Sequence, residues 1–335
     1  MNARLSNRGD VDPFYAMELL KLANHKRQTG MKVISLCLGQ PADGAPTAVR
    51  EAAIAALGSD SQLGYTDANG LPSLRAAIGA HYAFDHGVDV ELTRVLVTTG
   101  SSAAFTAIIL AAFDAGDAVA MARPGYPAYR NVLDALGCRV IDLDCGPQTR
   151  FQPSVEMLDA LPAAPAGLIV ASPSNPTGTI IEPERLAAIA DWCTEHGTLL
   201  ISDEIYHGIS FGRPTASVLQ NSPDHVAVGS FSKYYCMTGW RVGWLVVPDA
   251  LARRVELLLG NLNLSTPTLS QLAALAAFSP QAAAELDAHV AKYRENRDLV
   301  LRRLPEIGIA DTLVPDGAFY VYPDVSALTD DSLAW

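Results

Sequence analysis

Between residues 94 and 247 short apolar runs alternate with stretches whose apolar positions recur every three or four residues. The runs are RVLVTT at 94–99, AVAM at 118–121, RVIDL at 139–143, GLIVA at 167–171, TLLIS at 198–202, HVAVGS at 225–230 and RVGWLVV at 241–247. Several are continuous rather than alternating, the pattern of strands covered on both faces of a mostly parallel sheet. Helices are expected between them at 102–113, 128–136, 183–196 and 249–259, with Pro183 suited to a first helical turn. A strand–helix–strand rhythm predicts a doubly wound α/β domain whose site lies on loops at the strand C-termini. That large domain is placed at 45–260. Residues 1–44 are expected to join a smaller domain formed by 261–335, helical to about Leu304 and ending in a strand at 318–322 (AFYVY).

Composition narrows the function classes. Of 335 residues 49% are hydrophobic, enough for a large core, and the net charge is 24 − 36 = −12. Such a balance opposes nucleic acid or an anionic membrane surface as partner, because phosphates are repelled. No apolar run reaches spanning length, and MNARLSNRGDVDPFYAM lacks the apolar core of a signal peptide, so a cytoplasmic protein is expected. Cys37, Cys138, Cys145, Cys193 and Cys236 are scattered without metal-ligand spacing and read as reduced thiols, with no metal site implied.

Four stretches carry candidate chemistry. SPSNPTG at 172–178 makes an irregular loop after an apolar strand and places the Asn175 amide at the sheet edge. In DEIY at 203–206, Asp203 emerges at a strand end, where a buried anion stabilises a nearby cation, and Tyr206 is close enough to share the pocket. In SFSKYYCMTGWRVGW at 230–244, Lys233 stands among aromatic residues; a lysine kept from water loses its proton more readily, as Schiff-base chemistry requires. Ser230, Ser232 and Arg241 around it suit a phosphate, through hydroxyl donors and a planar guanidinium fork. TTGSS at 98–102 joins a strand to a helix and turns the amides of Gly100, Ser101 and Ser102 outward as an anion site. Taken singly, each stretch is an ordinary turn or a solvated lysine.

Together and in this order, SPSNPTG, DEIYHG and SFSKYYCMTGWRVGW resemble the class I and II aminotransferases among the fold-type I pyridoxal-phosphate enzymes, close to the aspartate-aminotransferase-like subgroup. The intervals 203 − 175 = 28 and 241 − 233 = 8 fit that family, and the resemblance runs from about Leu36 to the last residue. It implies a seven-stranded, mostly parallel sheet with helices on both faces plus a smaller α+β domain. It implies pyridoxal 5′-phosphate joined to Lys233 as a Schiff base, with Lys233 then acting as general base and acid. Asp203 would pair with the pyridinium nitrogen, and Tyr206 and Asn175 would bond the phenolic oxygen. Ser230, Ser232, Arg241 and the turn of Gly100, Ser101 and Ser102 would hold the phosphate. Tyr126, in PGYPAY, would stack on the cofactor ring, and Gly39, in CLGQP, would lie near the substrate carboxylate beside Tyr126 and Asn175. Tyr65 would reach the phosphate of a neighbouring subunit, which implies a homodimer.

The activity implied is ping-pong transfer of an amino group from an L-amino acid to a 2-oxo acid. The alternatives on the same residues are a C–S β-lyase and a non-catalytic cofactor-binding fragment. The family pattern continues several dozen residues beyond GAFYVYPDVS and carries there an arginine for the substrate α-carboxylate. No arginine of this chain takes that place. The reading at this point is a small domain cut short at Trp335, in what looks like the opening of a helix (SLAW), with apolar surface left uncovered.

Overall fold

The computed structural model describes residues 4–59 and 62–332. Seven strands form one sheet: β1 (Val95–Thr98), β2 (Ala118–Arg123), β3 (Arg139–Asp144), β4 (Gly167–Ala171), β5 (Leu199–Asp203), β6 (Val226–Ser230) and β7 (Gly243–Val246). Their order is β1-β7-β6-β5-β4-β2-β3. The pairs from β6 to β3 are parallel, whereas β7 runs antiparallel to both β1 and β6. The apolar runs are therefore the strands expected, in a mostly parallel sheet.

Both faces are covered, and successive residues feed opposite cores. Val95 and Val97 of β1 enter one buried cluster while Leu96 enters the other; Leu168 and Val170 of β4 likewise oppose Ile169. Each such side chain, taken fully from water, contributes roughly 1.5–3 kcal/mol, and that sum explains why the runs carry no polar face.

The helices are α1 (Tyr15–Gln28), α2 (Thr47–Gly58), α3 (Pro72–His86), α4 (Gly100–Ala112), α5 (Pro127–Leu136), α6 (Val155–Asp159), α7 (Pro183–His196), α8 (Asp249–Asn263), α9 (Thr268–Leu275) and α10 (Pro280–Arg303). Local chemistry sets their ends. Proline opens α3, α5 and α7, and a left-handed glycine (Gly87, Gly137 or Gly197) closes each. In α7 the buried positions Leu186, Ile189, Ala190 and Cys193 recur at helical spacing. Among the described residues no helix is long and apolar enough to cross a membrane.

The expected strand at 318–322 is absent. Ala318 is left-handed at φ 56°, which breaks an extended run. The amides of Asp316 and Gly317 donate to the Gly178 carbonyl at 2.8 and 2.9 Å, and the Ala318 amide donates to Ile209 at 3.0 Å. The segment docks on the loops of the large sheet and spends its backbone donors there; only single bridges remain, Ser210 with Gly317 and Thr312 with Pro323. Asp316 is the anchor. Its buried carboxylate accepts from Arg150 at 2.7 Å, Arg213 at 2.9 Å and the Ile180 amide at 3.1 Å. The helix opening read at the chain's end includes Leu333, Ala334 and Trp335, which lie outside the described residues.

Candidate active site

The antiparallel β7 brings three distant segments to one place. Gly243, at its start, pairs with Thr98 at the end of β1 and with Ser230 at the end of β6. One rung of the sheet thus sets Arg241, Gly100 and Ser230 side by side. Gly100 opens α4 with φ 74°, and a Cβ there would run into the Arg241 guanidinium. Arg241 is itself left-handed, at φ 56°, a conformation a non-glycine residue adopts at a cost of about 1–2 kcal/mol. Its guanidinium donates to the Thr238 carbonyl at 3.1 Å and meets no carboxylate among the described residues. The first turn of α4 has no side-chain cap. Ser230 and Ser232 are buried, and the Ser230 hydroxyl accepts from the Ser232 amide at 3.1 Å. Unpaired guanidinium, uncapped helix start and hydroxyls together make a cradle for a doubly charged anion.

Asp203 ends β5 and is buried. Burial pushes its carboxyl up to about 6, against the Tyr129 hydroxyl, the Ile205 amide and the charge of Lys233. The Tyr129 hydroxyl makes a short hydrogen bond to one carboxylate oxygen, and the Ile205 amide donates to the other at 3.1 Å. Lys233 follows β6, and its Nζ donates to the Gly39 carbonyl at 2.7 Å and stands 5.7 Å from the centre of the Tyr206 ring. Burial brings this amine down to about 8; Asp203 opposes that shift and Arg241 adds to it. Near neutral pH a useful fraction of Lys233 is therefore the free base, and a buried anion waits close by for a cation.

Tyr206 is buried and shares a short hydrogen bond with the Tyr320 hydroxyl. Burial raises the Tyr206 phenol well above its ordinary range, with Tyr320 adding to the effect. Tyr126 caps the start of α5, with its ring edge-on to Tyr129 at 5.2 Å and to Phe14 at 5.6 Å. Asp203, Tyr206, Tyr126, Arg241, Lys233, Gly39 and Gly100 are thus brought together. Ser101 and Ser102 lie in the first turn of α4, Ser102 exposed. Asn175 lies on the loop after β4, half-buried. Tyr65 is 84% exposed on the loop before α3 and, among the described residues, shares no hydrogen bond or ring contact with that cluster.

Three residues escaped the sequence reading. Tyr129 sits three positions after Tyr126 on the same helix face, so the PGYPAY spacing carried a signal. Tyr320 lay inside the segment taken for a strand. Phe14 carried no signal, since only folding brings the N-terminal segment onto α5.

The buried acid, the depressed lysine and the anion cradle fit one group, an aldehyde-bearing pyridine phosphate. Such a set suits a pyridine phosphate at the C-terminal edge of an α/β sheet. The sequence profile described as Aminotransferase class I and II matches residues 31–334. A valine–pyruvate aminotransferase of Mycobacterium tuberculosis is 54% identical over all of this chain and 87% of its own length. An aminotransferase structure from Mycobacterium tuberculosis superposes with a TM-score of 0.97 at 52% identity, over 99% of this chain and 86% of the other. The aspartate aminotransferase of Thermus thermophilus, solved with maleate, gives 0.95 at 30% identity, over 99% and 88%. The chain belongs to the class I and II aminotransferases. It moves an amino group between an amino acid and a 2-oxo acid, and its cofactor is pyridoxal phosphate.

Proposed function

We propose that this enzyme transfers the amino group of a small aliphatic L-amino acid to a 2-oxo acid, by a ping-pong mechanism centred on Lys233. The observation that carries the reading is the Lys233 amine, half-buried beside Asp203 and Tyr206 and brought down to about 8 by that burial. When bound, pyridoxal phosphate supplies an aldehyde and an electron-accepting ring. Arg241, Ser230, Ser232 and the amides of Gly100, Ser101 and Ser102 would hold the phosphate. Asp203, kept in place by the Tyr129 hydroxyl and the Ile205 amide, would hold the proton on the ring nitrogen. Tyr206 and Asn175 would donate to the phenolic oxygen, and Tyr126 would cover the ring. Lys233 would hold the cofactor through its free amine and would move the substrate Cα proton as base and then acid. Gly39, whose carbonyl accepts from Lys233, is assigned to the border of the substrate carboxylate.

Aromatic surroundings support that substrate class: Tyr320 meets Tyr206, Phe14 packs edge-on against Tyr126, and apolar surface favours an uncharged side chain. The name of the Mycobacterium tuberculosis relative, a valine–pyruvate aminotransferase, supports the same choice. The exposed Tyr65 is assigned to the phosphate of a second copy of the chain in a cytoplasmic homodimer, and the enzyme to amino-acid biosynthesis. The large domain is assigned to 45–260, with 1–44 and 261–335 as the smaller one.

The test is a panel of amino acids with pyruvate and 2-oxoglutarate as acceptors. Valine or alanine should react well ahead of aspartate, and Lys233→Ala should lose transfer while keeping its fold. Full activity in Lys233→Ala refutes the assignment of Lys233. Pyruvate and ammonia released from cystathionine without any acceptor, and faster than amino transfer to 2-oxoglutarate, would mark a lyase instead.

A further inference from the structure

Tyr206 does not act alone at its position. Its hydroxyl meets that of Tyr320, with the two rings crossing at 76° and centroids 5.7 Å apart. Tyr320 is delivered by a pinned segment. The amides of Asp316 and Gly317 are bonded to Gly178, that of Ala318 to Ile209, and the buried Asp316 carboxylate to two arginines. On its other side the Tyr320 hydroxyl fills the space that a Cβ on Gly39 would need. The Gly39 carbonyl is the acceptor for Lys233 Nζ. One side chain from the C-terminal segment therefore touches both the partner of Lys233 and the phenol beside it.

We propose that Tyr320 is a positioning residue for the amino transfer, acting through Tyr206 by donating its hydroxyl proton to it. The direction of donation rests on the role proposed for Tyr206. A hydroxyl has one proton; if Tyr206 gives its own to the cofactor's phenolic oxygen, only its lone pairs remain for Tyr320, and Tyr320 must donate. Donation into Tyr206 polarises its O–H bond and strengthens what Tyr206 donates onward. A stronger donor on the phenolic oxygen competes for the lone pairs that would hold a proton shared with the Lys233 nitrogen, and so lowers the pKa of that shared proton.

The experiment is a spectral pH titration of the full chain loaded with pyridoxal phosphate, following the absorbance of the Lys233-linked cofactor. Tyr206→Phe should raise the titration midpoint. Tyr320→Phe should raise it in the same direction by a smaller amount, about half a unit. The double variant should match Tyr206→Phe alone, because a residue acting through another has no effect once that other is gone. Tyr293→Phe, a change in the same buried cluster, should leave the midpoint where it is. A shift in Tyr206→Phe with none in Tyr320→Phe overturns the proposal and leaves the reading of Tyr206 standing. Shifts that add in the double variant also overturn it, since Tyr320 would then act independently of Tyr206. No shift in either single variant overturns the reading of Tyr206 and the proposal with it.

Discussion

Capture of the cofactor should follow the protonation of Lys233. Only the free amine attacks an aldehyde. Burial brings Lys233 from its ordinary 10.5 down to about 8. At pH 7.5 about a quarter of it is then free base, against about one part in a thousand for a solvated lysine, a gain of roughly two hundred-fold in reactive species. The rate at which the cofactor-free protein takes up pyridoxal phosphate, followed by stopped-flow absorbance from pH 6 to 10, should rise tenfold per unit and level off above about 8. Asp203 works against this shift, because its charge favours the ammonium. In Asp203→Asn the plateau should therefore begin at lower pH, even though the finished complex binds less tightly for want of a partner to the ring nitrogen. A rate still climbing tenfold per unit at pH 9.5, or a midpoint that moves upward in Asp203→Asn, would refute the argument that burial sets the reactivity of Lys233.

Three further outcomes are expected. Gly100→Ala places a methyl against the Arg241 guanidinium at a left-handed position, and should weaken pyridoxal phosphate binding at least about tenfold by equilibrium dialysis. Asp316→Ala leaves Arg150 and the Ile180 amide without this acceptor and Arg213 with Glu182 alone; both arginines are partly solvated, so the loss should be about 2 kcal/mol in urea unfolding, and a loss below about 0.5 refutes the anchoring role. Glu204 is buried, and burial pushes its carboxyl from 4.5 up to about 7 against donors from Val218, Ser217 and Tyr82. Its folded form holds the proton more tightly than the unfolded chain does, so its contribution is complete below 4.5 and lost as pH rises through 7. The stability of the wild type relative to Glu204→Gln should fall by about 3 kcal/mol between pH 4.5 and 8 in urea unfolding, and an unchanged difference refutes the shift.

The sheet was legible because burial on both faces leaves a mark in the sequence. A run such as GLIVA has no polar position to spare when Leu168 and Val170 face one core and Ile169 the other. Lys233 stood out through its company: polar groups with little structural use, spaced along loops that follow strands, and the structure brings Asp203, Tyr206 and Arg241 near it. AFYVY misled because its aromatic and branched residues have the composition of a strand. What decides its form is where the amides of residues 316–318 find acceptors, and those lie on Gly178 and Ile209, more than a hundred positions away. Tyr129 and Tyr320 were hidden for the same reason. Each matters through one hydroxyl meeting a group 74 or 114 positions distant, and no periodicity records such a meeting.

The rung that joins Thr98, Gly243 and Ser230 makes the cofactor an inspector of assembly. β1 and β7 are far apart in the chain, so β7 has to find its register after most of the polypeptide exists. A slip of two residues keeps every side chain on its proper face and satisfies the ladder, yet carries Arg241 about 7 Å from Gly100. Hydrophobic burial is nearly blind to that error; a phosphate held as proposed would not be, since its oxygens would need the guanidinium, the serines and the start of α4 at one point. Uptake of pyridoxal phosphate during refolding would therefore count molecules whose last strand has zipped in correct alignment, distinct from those that are merely collapsed.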